Sequence, residues 1–296
     1  MDNIRLLKNK IASRGMLFLT FFPGFIVFLI IIGLYLRSRP ILAAKPLFSL
    51  LFSTAWAPGC GEFGFFPFIM GTLWVTAVAL IISVPISLFS SIYLSEYAPR
   101  SAQEFLRPMI DLLAGLPSVI YGVWGVLVVV PAVARLASSL GHYSSGYSIL
   151  AGGLVLAIMI FPTIIFVSLE VLSSIPKELR EASLSLGATR WETVKHVVLR
   201  KGLPGIIAAI VLGLSRALGE TMAVLMVVGN IPKAPTSVFD GGYPLPALIA
   251  NNYGEMMSIP LYDSALMVAA GILLLIVLAF NILARIILVR IERRAG

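Results

Sequence analysis

Six apolar runs divide this chain, and each is about as long as, or longer than, the roughly 20 residues an α-helix needs to cross a hydrocarbon layer. They extend from about Met16 to Leu36, Phe66 to Tyr93, Met109 to Val130, Ser148 to Leu172, Leu203 to Val228 and Asp263 to Leu288. With 59% hydrophobic and only 12% charged residues, a soluble globular domain is excluded. The expected fold is an all-α polytopic integral membrane protein of about six transmembrane helices.

Several of these runs carry helix breakers. Pro85 lies in the second run, Pro162 in the fourth, and Gly115-Leu116-Pro117-Ser118 in the third. At ~1.5 Å per residue the second run exceeds the hydrocarbon thickness, so it must tilt, kink or protrude. Breaks at membrane depth survive only where protein or a watery cavity satisfies the freed backbone groups. The run after Arg14 is too long for a signal-peptide core and lacks a small-residue cleavage site, so it is expected to be retained. In the connection from Arg37 to Phe65, Gly59, Gly61 and Gly64 match a dinucleotide-binding spacing, but no βαβ unit surrounds them and the match carries nothing. The connection from Gly229 to Tyr262 holds five prolines and Gly241-Gly242, which reads as an ordered or re-entrant loop.

The formal charge of +8 sits between the apolar runs, where it orients a membrane protein and implies no nucleic acid. With the N-terminus inside, sixteen Lys and Arg fall on the inner side and five on the outer; Arg216 lies within the fifth run. Both termini are therefore expected in the cytoplasm, led by a basic segment over residues 1–15. The single cysteine, Cys60, permits no intrachain disulfide and no cysteine metal site.

One long polar, helix-friendly segment, Glu181 to Pro204, lies between two apolar blocks on the inner side. Pro176 suits the first turn of a helix, and Lys177-Glu178-Leu179-Arg180-Glu181 continues it with strong helix formers. Gly187 stands where that helix would end in a left-handed residue. Thr189 with Glu192 three residues on forms a capping box for a second helix. The spacing predicts a helical knuckle facing water. Glu181-Ala182, Gly187 and Leu203-Pro204 resemble the EAA loop of ABC importer permeases, with Ser183 standing for the usual second alanine. The resemblance implies a type I importer (MetI-like) transmembrane domain over residues 66–290. Its coupling loop would be 176–204, its first helix and outer connection 16–65, and its cytoplasmic tail 291–296. Glu181, Ala182 and Gly187 would then contact a separate ATPase.

Arg216 and Glu220 are charges inside the fifth run. On one continuous helix they share a face, and an unpaired charge in a bilayer costs from ~3 to over 10 kcal/mol. Two readings follow. One is an internal ion pair, helped by the small residues Gly213, Ala217 and Gly219 that let a neighbouring helix approach. The other places the guanidinium fork on the route of a phosphate-like anion. RALGETMAV, FGFFPFIMGTL, YLSEYAPR and LLAGLPSVIYGVWG resemble the phosphate-specific branch of these permeases, its PstC-type subunits in particular. That resemblance implies a permease subunit for inorganic phosphate, with Arg216 and Glu220 on the translocation pathway. It also implies a PstA-like second permease, two PstB-like ATPases that use ATP and Mg, and a PstS-like phosphate-binding protein. No cofactor or metal is expected in this chain. Sulfate, molybdate and tungstate permeases share the Arg-Ala-Leu-Gly-Glu core and are the alternative substrate classes.

Other function classes find little support. There is no HExxH, no GxSxG and no intramembrane carboxylate pair; Asp111 and Glu170 fall near run ends, and His142 and His196 on polar connections. An ion-coupled secondary transporter would need coupling-ion sites, usually shows internal repeats, and has no use for an ATPase-docking loop.

Overall fold

The structure, a computed structural model, describes residues 2–255 and 258–295. Side chains at positions 2–9, 11 and 292–295 lie outside the described ones, among them Arg5 and Lys8 of the basic leader and Arg293 and Arg294 of the tail. The helices are α1 (Asp2–Ala44), α2 (Leu47–Phe52), α3 (Phe66–Ile92), α4 (Arg100–Gly115), α5 (Ser118–Trp124), α6 (Val130–Ser139) and α7 (Ile149–Ser173), followed by α8 (Lys177–Ser185), α9 (Arg190–Thr193), α10 (Leu199–Gly219), α11 (Met222–Val227), α12 (Leu245–Asn252) and α13 (Tyr262–Ala295). A two-stranded antiparallel hairpin, β1 (Trp56–Ala57) and β2 (Glu62–Phe63), sets Trp56 opposite Phe63. Single π-helical turns at Tyr93–Tyr97, Gly125–Val129 and Val194–Val198 extend α3, join α5 to α6 and join α9 to α10.

Among the described residues, six stretches are long and apolar enough to span a membrane: Ala12–Ala44, Phe66–Tyr97, Ser118–Ser139, Ile149–Ser173, Arg190–Gly219 and Tyr262–Ile291. Two of the expected runs are corrected. The third does not run from Met109 to Val130. Proline disfavours helical geometry in the residue before it, and Leu116 is extended ahead of Pro117, so the helix breaks there. What precedes the break is α4, an amphipathic helix that buries none of its residues. The crossing helix starts at Ser118. It continues to Ser139 because Val130, Val133 and Ala137 give α6 a buried face. The fifth run is likewise not one helix to Val228: α10 stops at Gly219, Glu220 is extended, and α11 starts anew.

The fourth crossing helix, α7, is the centre of the bundle. Ile149, Val155, Leu156, Ile160 and Ile164 are buried there against α3, α5, α10 and α11. Close approach depends on small residues. A Cβ on Gly213 of α10 would lie 2.7 Å from the side chain of Ile164, so any larger residue there would force that side chain or α10 to shift. On α3, Ser83, Ser87 and Ser91 recur every four residues and are fully buried. In contrast α1 leaves an apolar face uncovered along most of its length, as a lipid-facing or partner-facing helix does.

A second core closes the end of the bundle where α3 begins. Trp56 packs on Phe63, Phe65, Phe68 and Tyr262 with ring centroids 4.8–6.2 Å apart. The Gly229–Tyr262 connection is ordered over its described residues. Its carbonyl groups take up the N-terminus of α7, with Ile149 N donating to Asp240 O and Leu150 N to Val238 O. Its α12 inserts between α3 and α13, and Leu245 N donates to the buried Thr72 hydroxyl at 2.9 Å.

Candidate functional site

The polar segment folds as its spacing predicts. Pro176 stands just before α8 as its N-cap, with an extended ψ of 138°, so the first helical residue is Lys177 and not Pro176. Gly187 ends the helix with φ of +87°, and the amides of Gly187 and Ala188 return to Leu184 O and Ser183 O. Thr189 then caps α9: its hydroxyl accepts from Glu192 N, while its own amide donates to the Glu192 carboxylate at 2.8 Å. The Ser183 and Thr193 hydroxyls, 2.9 Å apart, hold α8 against α9. This is the knuckle. Glu181, Ala182 and Gly187 all lie on its exposed side. Around them stand uncovered apolar side chains, Leu184, Trp191 and above all Leu186 at 90% exposure. A tip this apolar on a polar loop is a surface shaped for a protein partner.

The root of the knuckle is fixed by one side chain that the sequence reading did not single out. Arg180 places its fork on Glu96 of the π turn after α3, Nη2 to Oε1 at 2.7 Å and Nε to Oε2 at 3.0 Å. Nη2 also donates to Leu172 O in the last turn of α7 at 2.8 Å, and Nη1 to Ile175 O just beyond that helix. Ser95 Oγ supports the carboxylate at 3.0 Å. The pairing joins residues 84 apart in sequence, so no local pattern signals it.

Arg216 and Glu220 part company at the helix break. Arg216 occupies the last turn of α10, and its Nη1 donates to the Thr163 hydroxyl of α7 at 2.7 Å. Glu220 turns the other way and its Oε1 accepts from Ala223 N at 3.0 Å, capping α11. The two are therefore not the i, i+4 pair of one continuous helix. Among the described residues the ion pairs are Arg180–Glu96 and Arg37–Asp263. Of the small residues around Arg216, Gly213 and Ala217 do face neighbours, whereas Gly219 is open.

The second break lies close by. The Gly115–Ser118 interruption leads into α5, which packs on α11, and Tyr121 Oη closes the gap by donating to Leu113 O at 2.6 Å. Two interrupted helices thus pack side by side next to a half-buried guanidinium that accepts nothing and can only donate. Such an arrangement can hold an oxyanion with charge-assisted hydrogen bonds. A cavity of about 380 Å³ between α4 and α7, lined by Arg107, Asp111 and Glu170, contains neither Arg216 nor Glu220 and is distinct from this site. His142 stacks on Phe239, and no group of three or more His, Cys, Asp or Glu that could hold a metal occurs among the described residues.

A mostly helical, multi-pass membrane protein with an exposed knuckle and broken spanning helices is the class this geometry defines. The family model for the binding-protein-dependent transport system inner membrane component matches residues 83–296, and the chain belongs to that family. It is 40% identical over 222 residues to a Bacillus subtilis (strain 168) protein named "Probable ABC transporter permease protein YqgH", covering 74% of this chain and 70% of that one. It is 36% identical over 263 residues to the phosphate transport system permease protein PstC of Xylella fastidiosa (strain 9a5c), covering 84% and 81%. Among solved structures, a chain of a bacterial alginate ABC transporter superposes with a TM-score of 0.63 at 18% identity, over 95% of this chain and 97% of that one. A chain of the MetNI methionine ABC transporter gives 0.58 at 21%, over 75% and 93%. These likenesses show the shared fold of ABC importer transmembrane subunits.

Proposed function

We propose that this protein is a permease subunit of an ATP-driven importer and forms, with a second permease, the path of inorganic phosphate across the cell membrane. The observation that carries the anion is Arg216. Its fork is held by Thr163 beside two helix breaks, and it is not neutralised by Glu220. Named PstC relatives at 36% identity over 84% of the chain support phosphate over sulfate, molybdate or tungstate. Partners of the corresponding kinds complete the assembly: a PstA-like permease, two PstB-like ATPases and a PstS-like phosphate-binding protein. The chain itself carries out no chemistry. ATP and Mg are used by the ATPases.

In this reading both termini and the knuckle are cytoplasmic, in line with the sixteen-to-five distribution of basic residues. Glu181, Ala182 and Gly187 sit at the docking tip, and closure of the ATPases displaces it. The spanning helices then alternate between openings to either side as packed units, because interdigitated helices move as bodies and do not deform continuously. Arg216 receives the anion during passage, and Glu220 shapes the break that exposes it. The residue ranges 66–290 for the permease domain and 176–204 for the coupling loop follow from the same reading. Uptake of labelled phosphate, competed with sulfate and molybdate in cells carrying all partner subunits, tests it. Phosphate alone should compete. Equal competition by sulfate or molybdate would reassign the substrate.

A further inference from the structure

The knuckle has little packing of its own to transmit a push. None of the residues of α8 is buried. Against that background the Arg180–Glu96 contact stands out, with the two side chains only 18% and 11% exposed. From α8, one guanidinium meets the carboxylate after α3, Leu172 O in the last turn of α7, and Ile175 O between α7 and α8. The bonds are directional, and the fork fixes orientation as well as distance. From the other side of the same turn, Gln103 of α4 donates to Leu94 O and Ala98 O at 2.9 and 3.2 Å. The turn at the end of α3 is therefore bonded to both α8 and α4, and these bonds link α8 to the ends of α3 and α7.

We propose that Arg180 and Glu96 form a strap that transmits movement of the docking tip into α3 and α7, and that both are positioning residues for transport. The strap stays closed through the cycle. It acts by keeping α8 and the two spanning helices in one body, so that ATPase closure reorients them together. This rests on the importer reading above. The guanidinium of Arg180 rests on the carbonyl end of α7, which explains the polarity of the pair: a carboxylate at 180 would face the negative end of that helix, so exchanging the two residues should not restore function.

The test uses the whole transporter in proteoliposomes with a phosphate-binding protein, comparing wild type with Glu96→Gln and Arg180→Lys. Copurifying ATPase, basal ATP hydrolysis, stimulation by the loaded binding protein, and uptake are read together. In Glu96→Gln, ATPase copurification and basal hydrolysis should stay near wild type while stimulation and uptake fall about tenfold, the scale of a lost coupling element. Arg180→Lys keeps the charge without the fork and should fall between. In a Cys60→Ser background, Glu96→Cys with Arg180→Cys should regain stimulation when bridged by a short bifunctional thiol reagent. Unchanged stimulation in Glu96→Gln, failure of both single variants to assemble, or loss of stimulation on bridging would overturn the strap. A wild-type complex that neither takes up phosphate nor responds to the loaded binding protein would instead fail the importer reading.

Discussion

Arg216 reaches across from α10 to the Thr163 hydroxyl of α7 at 2.7 Å, while Glu220, four residues on, caps α11 and does not meet it. Thr163 follows Pro162 directly, and α10 ends within a turn of Arg216. The guanidinium is thus anchored by a neutral partner. No carboxylate among the described residues pairs with it, and the helix break lies beside it.

If Arg216 merely balanced Glu220, removing both charges would be far milder than removing either, because a lone buried charge is the costly species. The geometry argues otherwise. Arg216→Gln with Glu220→Gln should assemble and yet lose phosphate uptake as deeply as Arg216→Gln alone. Arg216→Lys should recover only part, since an ammonium lacks the planar fork. Glu220→Gln alone retains a carbonyl acceptor for Ala223 N and should cost less than Glu220→Ala, which removes a helix cap worth about 1 kcal/mol. Uptake by the assembled double variant close to wild type would leave Arg216 with a packing role only.

Asp240 offers an acid-sensitive anchor at the opposite end of the bundle. Burial alone would push its carboxyl up, but the hydroxyl and amide of Thr236 and the amide of Ser237 all donate to it and outweigh that, leaving it below the ordinary aspartate range. A depressed acid contributes stability that is present above its unfolded value of about 3.9 and is lost as pH falls through the folded one. Asp240→Ala should therefore lower the melting temperature at pH 7, by the equivalent of about 1 kcal/mol for the bonds removed. The gap to wild type should narrow below about pH 4. A gap that is constant from pH 7 to 3 would count against the carboxylate as the anchor.

The helices and the knuckle were legible because each rests on a local signal: apolar length for the six crossings, and Gly187, Thr189 and Glu192 at cap spacing for the turn. Where the reading failed, the cause was local chemistry passed over in favour of hydropathy. Pro117 and the Gly219-Glu220 step interrupt runs whose hydropathy continues across them, and hydropathy averages over such breaks. The contacts of Arg216 with Thr163 and of Arg180 with Glu96 had no such signal. They join residues 53 and 84 positions apart, and only the packing of α7 against α10 and α3 brings them together.

Orientation can be read chemically. Cys60 is exposed in the turn between β1 and β2, ahead of α3, whose far end meets the knuckle through Glu96. The 27 residues of α3 separate the two by about 40 Å along the helix. A membrane-impermeant maleimide applied to intact cells should label Cys60, and a cysteine placed at Leu186 in a Cys60→Ser background should react only after permeabilisation. The opposite pattern would invert the assignment of both termini.

Gly187 carries the most specific backbone demand in the knuckle. Its φ of +87° lies in the left-handed region, yet a Cβ built there meets nothing within 4 Å. The cost of substitution is therefore conformational and not steric, about 1–2 kcal/mol for an ordinary residue and more for a β-branched one. Asparagine tolerates this region better. Gly187→Val should insert into the membrane normally, because no buried contact is disturbed, but should weaken ATPase copurification and uptake; Gly187→Asn should be milder on both. The ordering matters more than the size of either loss. Valine and asparagine variants with equal, wild-type copurification would show that the turn is not what the ATPase reads.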